Sequence, residues 1–252
     1  MATRTATKHT PAISFGIDIG GSGMKAAPVD LASGTLTHER LKIATPQPST
    51  PDAMAAVVRQ LVDHFDWHGN VGVTFPSVVH HGVARSAANI DKSWIGTDVD
   101  AEFTKASGRP VSVINDADAA GLAEIRYGAG RDRDGVVILF TFGTGIGSGF
   151  FLDGELVPNT ELGHLELDGH LAEKRAAASA REREKVSWKE WAGRVEHYLE
   201  HIVFLFSPDL IIVGGGVSRK PAKWLPYIDV GVEVVAAALT NDAGIVGAAL
   251  IA

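Results

Sequence analysis

The chain has no cysteine among its 252 residues, which excludes disulfide bonds and thiolate metal sites and fits a reducing cytoplasm. Positive charge is also scarce, because 23 Lys and Arg stand against 30 Asp and Glu and the formal net charge is −7. Nucleic-acid binders generally need a broad basic surface. We therefore expect no nucleic-acid partner.

Long apolar runs are missing as well. The most apolar stretches, "VVILFTFGTGIGSGFF" and "IVFLFSPDLIIVGGG", are broken by glycines or by Pro208 and Asp209, whereas a membrane helix needs about 20 predominantly apolar residues in succession. The first residues, "MATRTATKHTPAIS", are polar and lack the apolar core of a signal peptide. We expect a cytoplasmic protein with no membrane partner, in which residues 1–12 form a flexible tail.

The segments that are present alternate between strand and helix patterns. "AISFGIDIG", "NVGVTF", "VSVI" and "PDLIIVGGG" are typical of buried strands, while "TPDAMAAVVRQLVDHF" and "SWKEWAGRVEHYLEHIVFLF" are typical of amphipathic helices. "EKRAAASAREREK" is predicted to be one exposed helix laced by salt bridges. This alternation predicts an α/β protein.

Two glycine-rich stretches follow the same order of features. "FGIDIGGSGMKAAPVDLASG" and "LFTFGTGIGSGFFLDGE" each run through a strand, a polar residue, a glycine loop, a second strand and a tight turn. The repetition suggests two related halves with a cleft between them, in which both loops grip one phosphate chain. Two unrelated glycine hairpins are the alternative.

The first loop carries groups suited to a phosphate. Gly20, Gly21 and Ser22 can turn their amides toward an anion. Asp18 could hold Mg²⁺ directly or through water, and Lys25 could meet a phosphate as a point charge. The spacing fits neither a Walker loop nor a dinucleotide fingerprint. A tight hairpin with an exposed aspartate is the alternative.

Further glycines offer comparable anion contacts. The second loop supplies Gly143, Thr144 and Gly145, whose amides and hydroxyl can converge on oxygens. Gly214 and Gly215 end a strong strand and would let a phosphate or a flat ligand approach closely, although an ordinary turn explains them equally well.

Two polar segments complete the candidate site. Asn115 and Asp116 follow a strand and open a helix, so they either cap that helix or place a carboxylate that accepts a proton from an attacking hydroxyl. Glu161, His164 and Glu173 in "NTELGHLELDGHLAE" suit a polyhydroxylated ligand. A metal site and a solvated loop are the alternatives for that second segment.

Together these motifs resemble the ROK family of sugar kinases. "DIGGSGMK" and "TFGTGIGSG" are similar to the family's phosphate loops, "NDAD" to its catalytic segment, "ELGH" to its E-x-G-H sugar element and "IIVGGGVS" to its glycine turn. The similarity runs from about Ile13 to the end, and "ARERE" and "FLFSPDLIIVGGGVS" most resemble the polyphosphate glucokinases of actinobacterial type. The family's cysteine-rich zinc motif is absent, so no zinc is expected.

The resemblance implies an actin-like, hexokinase-like (ribonuclease H-like) α/β fold with two related domains around a cleft. The expected domains are 1–114 and 115–241, with a final helix at about 242–252 that packs back on the first. It also implies a homodimer, and a glucokinase that uses polyphosphate and Mg²⁺, with ATP as a further candidate donor. An ATP-dependent hexose kinase and a non-catalytic sugar sensor are the alternatives.

The resemblance assigns roles to individual residues. Asp116 would be the general base, and Lys25, Arg175 and Arg181 are candidates for a polyphosphate groove. The sugar contacts it implies are Asn89, Asn115, Asp116, Glu161, His164 and Glu173. The phosphate contacts it implies are Asp18, Gly20, Gly21, Ser22, Lys25, Gly143, Thr144, Gly145, Gly214 and Gly215, with Mg²⁺ at Asp18.

Overall fold

A computed structural model of the chain describes residues 13–88 and 90–252; the predicted tail at 1–12 lies outside these ranges. The strands are β1 Ile13–Gly20, β2 Gly23–Asp30, β3 Thr35–Leu36, β4 Leu41–Ile43, β5 Val71–Phe75, β6 Val79–His80, β7 Val83–Ala84, β8 Val111–Asn115, β9 Val136–Phe142, β10 Ile146–Leu152, β11 Glu155–Val157, β12 Glu166–Leu167, β13 His170–Leu171, β14 Leu210–Gly215 and β15 Glu233–Ala236. The α-helices are α1 Pro51–His64, α2 Val99–Ser107, α3 Asp116–Tyr127, α4 Ala172–Ala176, α5 Ala178–Glu184, α6 Trp188–Phe206 and α7 Ala243–Leu250.

The first sheet has the order β3-β2-β1-β5-β8, with β4 also paired to β2. Strands β1 and β2 form an antiparallel hairpin, while β5 and β8 continue the sheet parallel to β1. Parallel strands end at the same edge of a sheet, and the register accordingly pairs Asp18 with Thr74 and Phe75 with Asn115. The polar residues that follow β1, β5 and β8 therefore meet at one edge.

The second sheet repeats this plan with the order β11-β10-β9-β14-β15. Strands β9 and β10 form the antiparallel hairpin, and β14 and β15 run parallel to β9. The hairpin turn of β9 and β10 thus corresponds to that of β1 and β2. The two-fold plan predicted from the glycine stretches is confirmed by this matching strand order, and so is the α/β class.

The last helix packs on the first sheet through glycines. A Cβ at Gly16 in β1 would lie 1.9 Å from the carbonyl oxygen of Ile245, and one at Gly72 in β5 would lie 1.8 Å from that of Ala248. Only glycine allows α7 to approach the sheet this closely. The domain bounds 1–114 and 115–241, with the final helix as part of the first domain, stay a prediction.

Each sheet has its own hydrophobic core. Phe75, Trp94 and Phe103 pack edge to face in the first core, with ring centroids 4.7 to 6.1 Å apart. Trp191 in α6 contacts Phe142 and other aromatic rings in the second. In the part of the chain described, no helix combines the length and the apolar character needed to cross a membrane.

The single helix predicted for "EKRAAASAREREK" is wrong. The segment forms α4 and α5, which are separated at Ala177 by an extended backbone with ψ of 155°. At this break Ser179 turns toward the second glycine loop, where its amide donates to the carbonyl oxygen of Gly143 over 3.0 Å. The helix is interrupted where the chain supports that loop.

Candidate active site

A cleft of about 590 Å³ is lined by segments of both sheets. It brings together most of the residues that the sequence predicted for a site. Its lining comprises Gly20, Gly21, Ser22, Pro76, Ser77, Ser86, Ala88, Asn115, Asp116, Thr141, Gly143, Thr144, Gly145, Ile146, Gly147, Ser148, Glu161, His164, Glu173 and Gly215.

The first glycine loop is the turn between β1 and β2. Asp18 and Lys25 flank it but are not among the lining residues. The Lys25 ammonium donates to Asp18 Oδ2 over 3.0 Å, and the Thr74 hydroxyl donates to Asp18 Oδ1 over 3.0 Å. The charge of Lys25 is thus already balanced by a carboxylate, which the sequence did not reveal.

The second glycine loop is the turn between β9 and β10. Ser179 in α5 supports it through the amide bond to Gly143 and through its hydroxyl, which donates to the carbonyl oxygen of Thr144 over 2.6 Å. At Gly145 a Cβ would lie 2.4 Å from a carboxylate oxygen of Glu173, so glycine lets that side chain reach the loop. The loop is preorganised by contacts outside its own hairpin.

The strand β14 contributes only its last residue to the cleft. Gly215 lines it with a positive φ of 79°, and a Cβ there would lie 2.4 Å from the carbonyl oxygen of Phe142. Gly214 is buried inside the sheet opposite Thr141 and is not a lining residue.

Asn115 caps helix α3, which leaves Asp116 to face the cleft. The Asn115 side-chain oxygen accepts from the amides of Ala117 and Asp118 over 2.8 and 3.2 Å. Asp116 Oδ1 also accepts from the Ala117 amide over 2.9 Å, but the side chain is exposed to the solvent of the cleft. Asparagine therefore does the capping, and the aspartate carboxylate is available for chemistry.

The surroundings of Asp116 favour its protonated form. The protein atoms that crowd the carboxyl displace water from it, and this partial desolvation, with the negative charge of Asp18 second, raises the pKa of Asp116 to about 6. Burial raises the pKa of the neighbouring Asp118 to about 7, even though the Asn159 amide donates to its carboxylate. Shifted carboxyl groups in a cleft are typical of catalytic sites.

Glu161, His164 and Glu173 form a polar cluster on one wall. His164 Nδ1 lies 3.6 Å from Glu161, and its Nε2 lies 3.9 Å from Glu173. Burial raises the pKa of Glu161, and the imidazole opposes that rise. Such a row of donors and acceptors suits the hydroxyls of a sugar.

Sequence reasoning missed several residues that line or support the cleft. The hydroxyl of Ser148 donates to the carbonyl oxygen of Thr160 over 2.6 Å and accepts from the Leu162 amide over 3.0 Å, so it holds Glu161 in place. Ser77 follows β5, and its position after a parallel strand is the signal that could have found it. Nothing local in the sequence marks Ser148.

Besides Asp18, Lys25 and Gly214, the predicted residues Arg175 and Arg181 are not among the lining residues of the cleft. Asn89 lies outside the described residues, so its expected sugar contact stays a prediction. Arg181, a candidate for the polyphosphate groove, places its guanidinium 4.1 Å from the ring centroid of Trp188. Within the predicted segment, Arg183 pairs with Glu184 at 2.9 Å, and Glu184 also pairs with Arg194 of α6 at 2.7 Å.

The sequence matches a known family over most of this site. Residues 14–178 match the model of the ROK family. The chain belongs to the ROK family. The matched range includes both glycine loops, Asp116 and the Glu161–Glu173 wall, and it confirms the resemblance stated above.

Individual ROK-family relatives match nearly the whole chain. The polyphosphate glucokinase of Mycobacterium tuberculosis (strain CDC 1551 / Oshkosh) is 51% identical over 255 residues, which cover 99% of this chain and 96% of that protein. The crystal structure of inorganic polyphosphate/ATP-glucomannokinase from Arthrobacter sp. strain KM is 53% identical with a TM-score of 0.92, covering 96% of this chain and 98% of that one.

A more distant structure shares the architecture. The ROK family glucokinase from Streptomyces griseus, crystallised with glucose and AMPPNP, is 27% identical with a TM-score of 0.77, and the match covers 95% of this chain and 99% of that one. These neighbours confirm the predicted sugar-kinase fold of the hexokinase-like type.

Proposed function

We propose that this chain is a polyphosphate-dependent glucokinase that transfers the terminal phosphoryl group of polyphosphate to the 6-hydroxyl of glucose, with ATP as a second donor. The observation that carries the proposal is the joint placement of both glycine loops and Asp116 in one cleft. The identity of about 51% to the polyphosphate glucokinase over nearly the full chain supports the donor and the acceptor.

In the proposed reaction Asp116 is the general base. The sugar 6-oxygen attacks the terminal phosphorus, the phosphoanhydride bond to the rest of the chain breaks, and the shortened polyphosphate leaves with the bonding electron pair. The proton of the hydroxyl passes to the Asp116 carboxylate. Phosphoryl transfer needs little covalent help from a protein, so positioning and charge neutralisation carry the rest of the rate.

The acceptor binds at the polar wall in this proposal. Glu161, His164 and Asn115 hold sugar hydroxyls, with Glu173 and Asn89 as further contacts. Glu173 reaches both His164 and the second glycine loop, so it lies where sugar and phosphate meet. Mannose differs from glucose only at the second carbon, so offering mannose in place of glucose in the assay below tests it as an alternative acceptor.

The donor lies against the two loops in this proposal. The amides of Gly20, Gly21 and Ser22 face those of Gly143, Thr144 and Gly145 across its terminal phosphates, and Gly215 borders it. Lys25 neutralises phosphate charge, and Arg175 and Arg181 remain the candidates for the groove that holds the rest of the polyphosphate chain.

Magnesium fits this donor site through few protein groups. Within residues 13–88 and 90–252, no three carboxylates or imidazoles converge as a ligand set, but Mg²⁺ commonly binds one or two carboxylates together with substrate phosphates and waters. Asp18 is the carboxylate that would bind Mg²⁺. One of its oxygens accepts from Lys25 and the other from Thr74, and each oxygen keeps a further lone pair for a metal ion. Bound there, Mg²⁺ would neutralise charge on the phosphates.

Three further properties belong to the same proposal. The molecule works as a homodimer in the cytoplasm, as the family resemblance implies. Its two domains, 1–114 and 115–241, close over the substrates and exclude water that would compete as acceptor. Light scattering and a comparison of scattering curves with and without glucose would test the dimer and the closure.

The deciding experiment offers the purified protein glucose and Mg²⁺ with either polyphosphate or ATP and measures glucose 6-phosphate. We expect product with polyphosphate. Product with ATP alone would favour the ATP-dependent kinase, and no product with either donor would favour the sugar sensor. Asp116→Asn should lower kcat by about 10²- to 10⁴-fold while glucose still binds, whereas the exposed control Asp132→Asn should match the wild type. Near-normal turnover by Asp116→Asn would exclude its role as base.

A further inference from the structure

We propose that Asn159 is a positioning residue for the part of the cleft that binds the sugar. It joins the segment that contains Ser77 to the segment that contains Glu161. Its side-chain oxygen accepts from the Val79 amide over 2.8 Å, and its side-chain nitrogen donates to the Val79 carbonyl oxygen over 2.9 Å. One amide side chain thus satisfies both backbone groups of a residue 80 positions away, as a neighbouring strand would. We call these two hydrogen bonds the clasp.

The backbone of Asn159 is anchored at its other end. Its amide donates to Asp118 Oδ2 over 2.8 Å, and Asp118 is only 1% exposed on helix α3. Asn159 has φ of 60°, a left-handed conformation that asparagine tolerates better than most residues. The Asn159 side chain therefore contacts Val79 from a backbone that is held in place by Asp118. Asp118 lies two residues after Asp116 on α3.

The clasp joins two segments that line the cleft. Val79 lies two residues after Ser77, whose carbonyl oxygen accepts from the Asn115 side chain over 3.0 Å. Asn159 lies two residues before Glu161, on the opposite wall. The clasp therefore sets the distance between Ser77 and Glu161. The bond from the Asn159 amide to Asp118 also fixes the position of this pair of segments relative to Asp116, which lies on the same helix as Asp118.

The donor end is held by different contacts. The Gly20 carbonyl oxygen accepts from the Thr45 hydroxyl, and the second loop is supported by Ser179. Loss of the clasp should therefore loosen the sugar end and leave the phosphate end in place. Because sugar hydroxyl contacts need well-placed partners, their misplacement weakens binding of the sugar more than binding of the donor.

Asn159→Gly tests this inference, which rests on the proposed function for its kinetic part. Glycine keeps the left-handed backbone and the amide bond to Asp118 but removes both clasp bonds. We expect the Kd for glucose, measured by calorimetry without donor, and the KM for glucose to rise about tenfold. The KM for polyphosphate should change less than twofold. Hydrogen exchange at the Val79 amide should become faster.

Two further variants sharpen the result. Asn159→Asp keeps an acceptor for the Val79 amide but sets a carboxylate oxygen against the Val79 carbonyl oxygen, so it should raise the Kd for glucose at least as much as Asn159→Gly. Asp132→Gly changes an exposed residue that also has a positive φ, 58°, but is not among the lining residues of the cleft, and it should leave both constants unchanged. The calorimetric arm distinguishes the two proposals, since a wild type that binds glucose but yields no glucose 6-phosphate would defeat only the kinase function.

Several results would overturn the role of Asn159. Unchanged glucose binding in Asn159→Gly would show that the clasp does not position the sugar site. Equal losses for glucose and polyphosphate, or misfolding of both Asn159 variants while Asp132→Gly folds, would assign Asn159 a purely structural role. A wild type that binds no glucose would overturn the kinase function and the clasp together.

Discussion

The raised pKa of Asp116 predicts how activity depends on pH. A general base works only when it is deprotonated, so kcat/KM should fall as the pH drops through the pKa of the free enzyme. With a pKa of about 6, the ionised fraction falls from about 0.9 at pH 7 to about 0.1 at pH 5. We therefore expect kcat/KM for glucose to fall about tenfold over that interval.

Asp18→Asn should move this fall in kcat/KM, the acidic limb of the pH profile, to lower pH. Asp18 is the second cause of the rise, after desolvation, and its replacement removes a negative charge and also frees the positive charge of Lys25. Both changes favour the ionised form of Asp116. Desolvation remains, so the midpoint should shift by less than the full distance from about 6 down to the ordinary value of 3.8.

The assay compares pH profiles of kcat/KM for wild type and Asp18→Asn from pH 4.5 to 8, with glucose and donor both below their KM values so that the profiles report on the free enzyme. The terminal phosphate of the donor also titrates near pH 6, but it does so equally in both enzymes, so the difference between the profiles reports on the protein. Asp18→Asn should lower the plateau as well, since it is a proposed phosphate and Mg²⁺ residue. A limb that stays in place, or that moves to higher pH, would refute the electrostatic coupling.

Three other substitutions have outcomes set by packing and hydrogen bonds. Gly72→Ala should lower the free energy of unfolding by about 1 to 3 kcal/mol or more, measured by denaturant titration, because its Cβ would lie 1.8 Å from the carbonyl oxygen of Ala248. Tyr198→Phe should leave the free energy of unfolding unchanged or raise it by up to about 1 kcal/mol in the same assay, since the buried hydroxyl has no hydrogen-bond partner among the described residues. A clear loss of stability would show that the hydroxyl does make a hydrogen bond. Ser148→Ala should raise the KM for glucose without a matching change in the KM for polyphosphate, because it frees the backbone on both sides of Glu161. Equal changes in the two KM values would count against a role of Ser148 in holding Glu161.

Local pattern was sufficient to predict much of the fold and of the site. Glycine loops between strands, and polar residues placed directly after strands, are visible in a single sequence. The carboxyl ends of parallel strands share an edge of their sheet, so Gly20 and Asp116 could be expected to converge, and the repeated plan of the second half suggested that its glycines lie across a common cleft. The cleft brings them together.

The predictions weakened where contacts depend on distant segments. The bond from the Asn115 side chain to Ser77 was not foreseen, and "EKRAAASAREREK" was predicted as one helix without the contact of Ser179 with the second loop. Charge and helix propensity are local properties, whereas these partners are chosen by the packing of the whole chain.

The sequence by itself determined the α/β class, the two-fold plan and the kinds of group that face the substrate, because strand periodicity, glycine and polar strand ends are local features. Only the tertiary structure decided that Asp116 faces a cleft shared by both sheets, and that Asn159 binds the backbone of Val79, a residue 80 positions away. The physical reason is that a hydrogen bond between distant segments depends on where both backbones lie, and the fold alone specifies that.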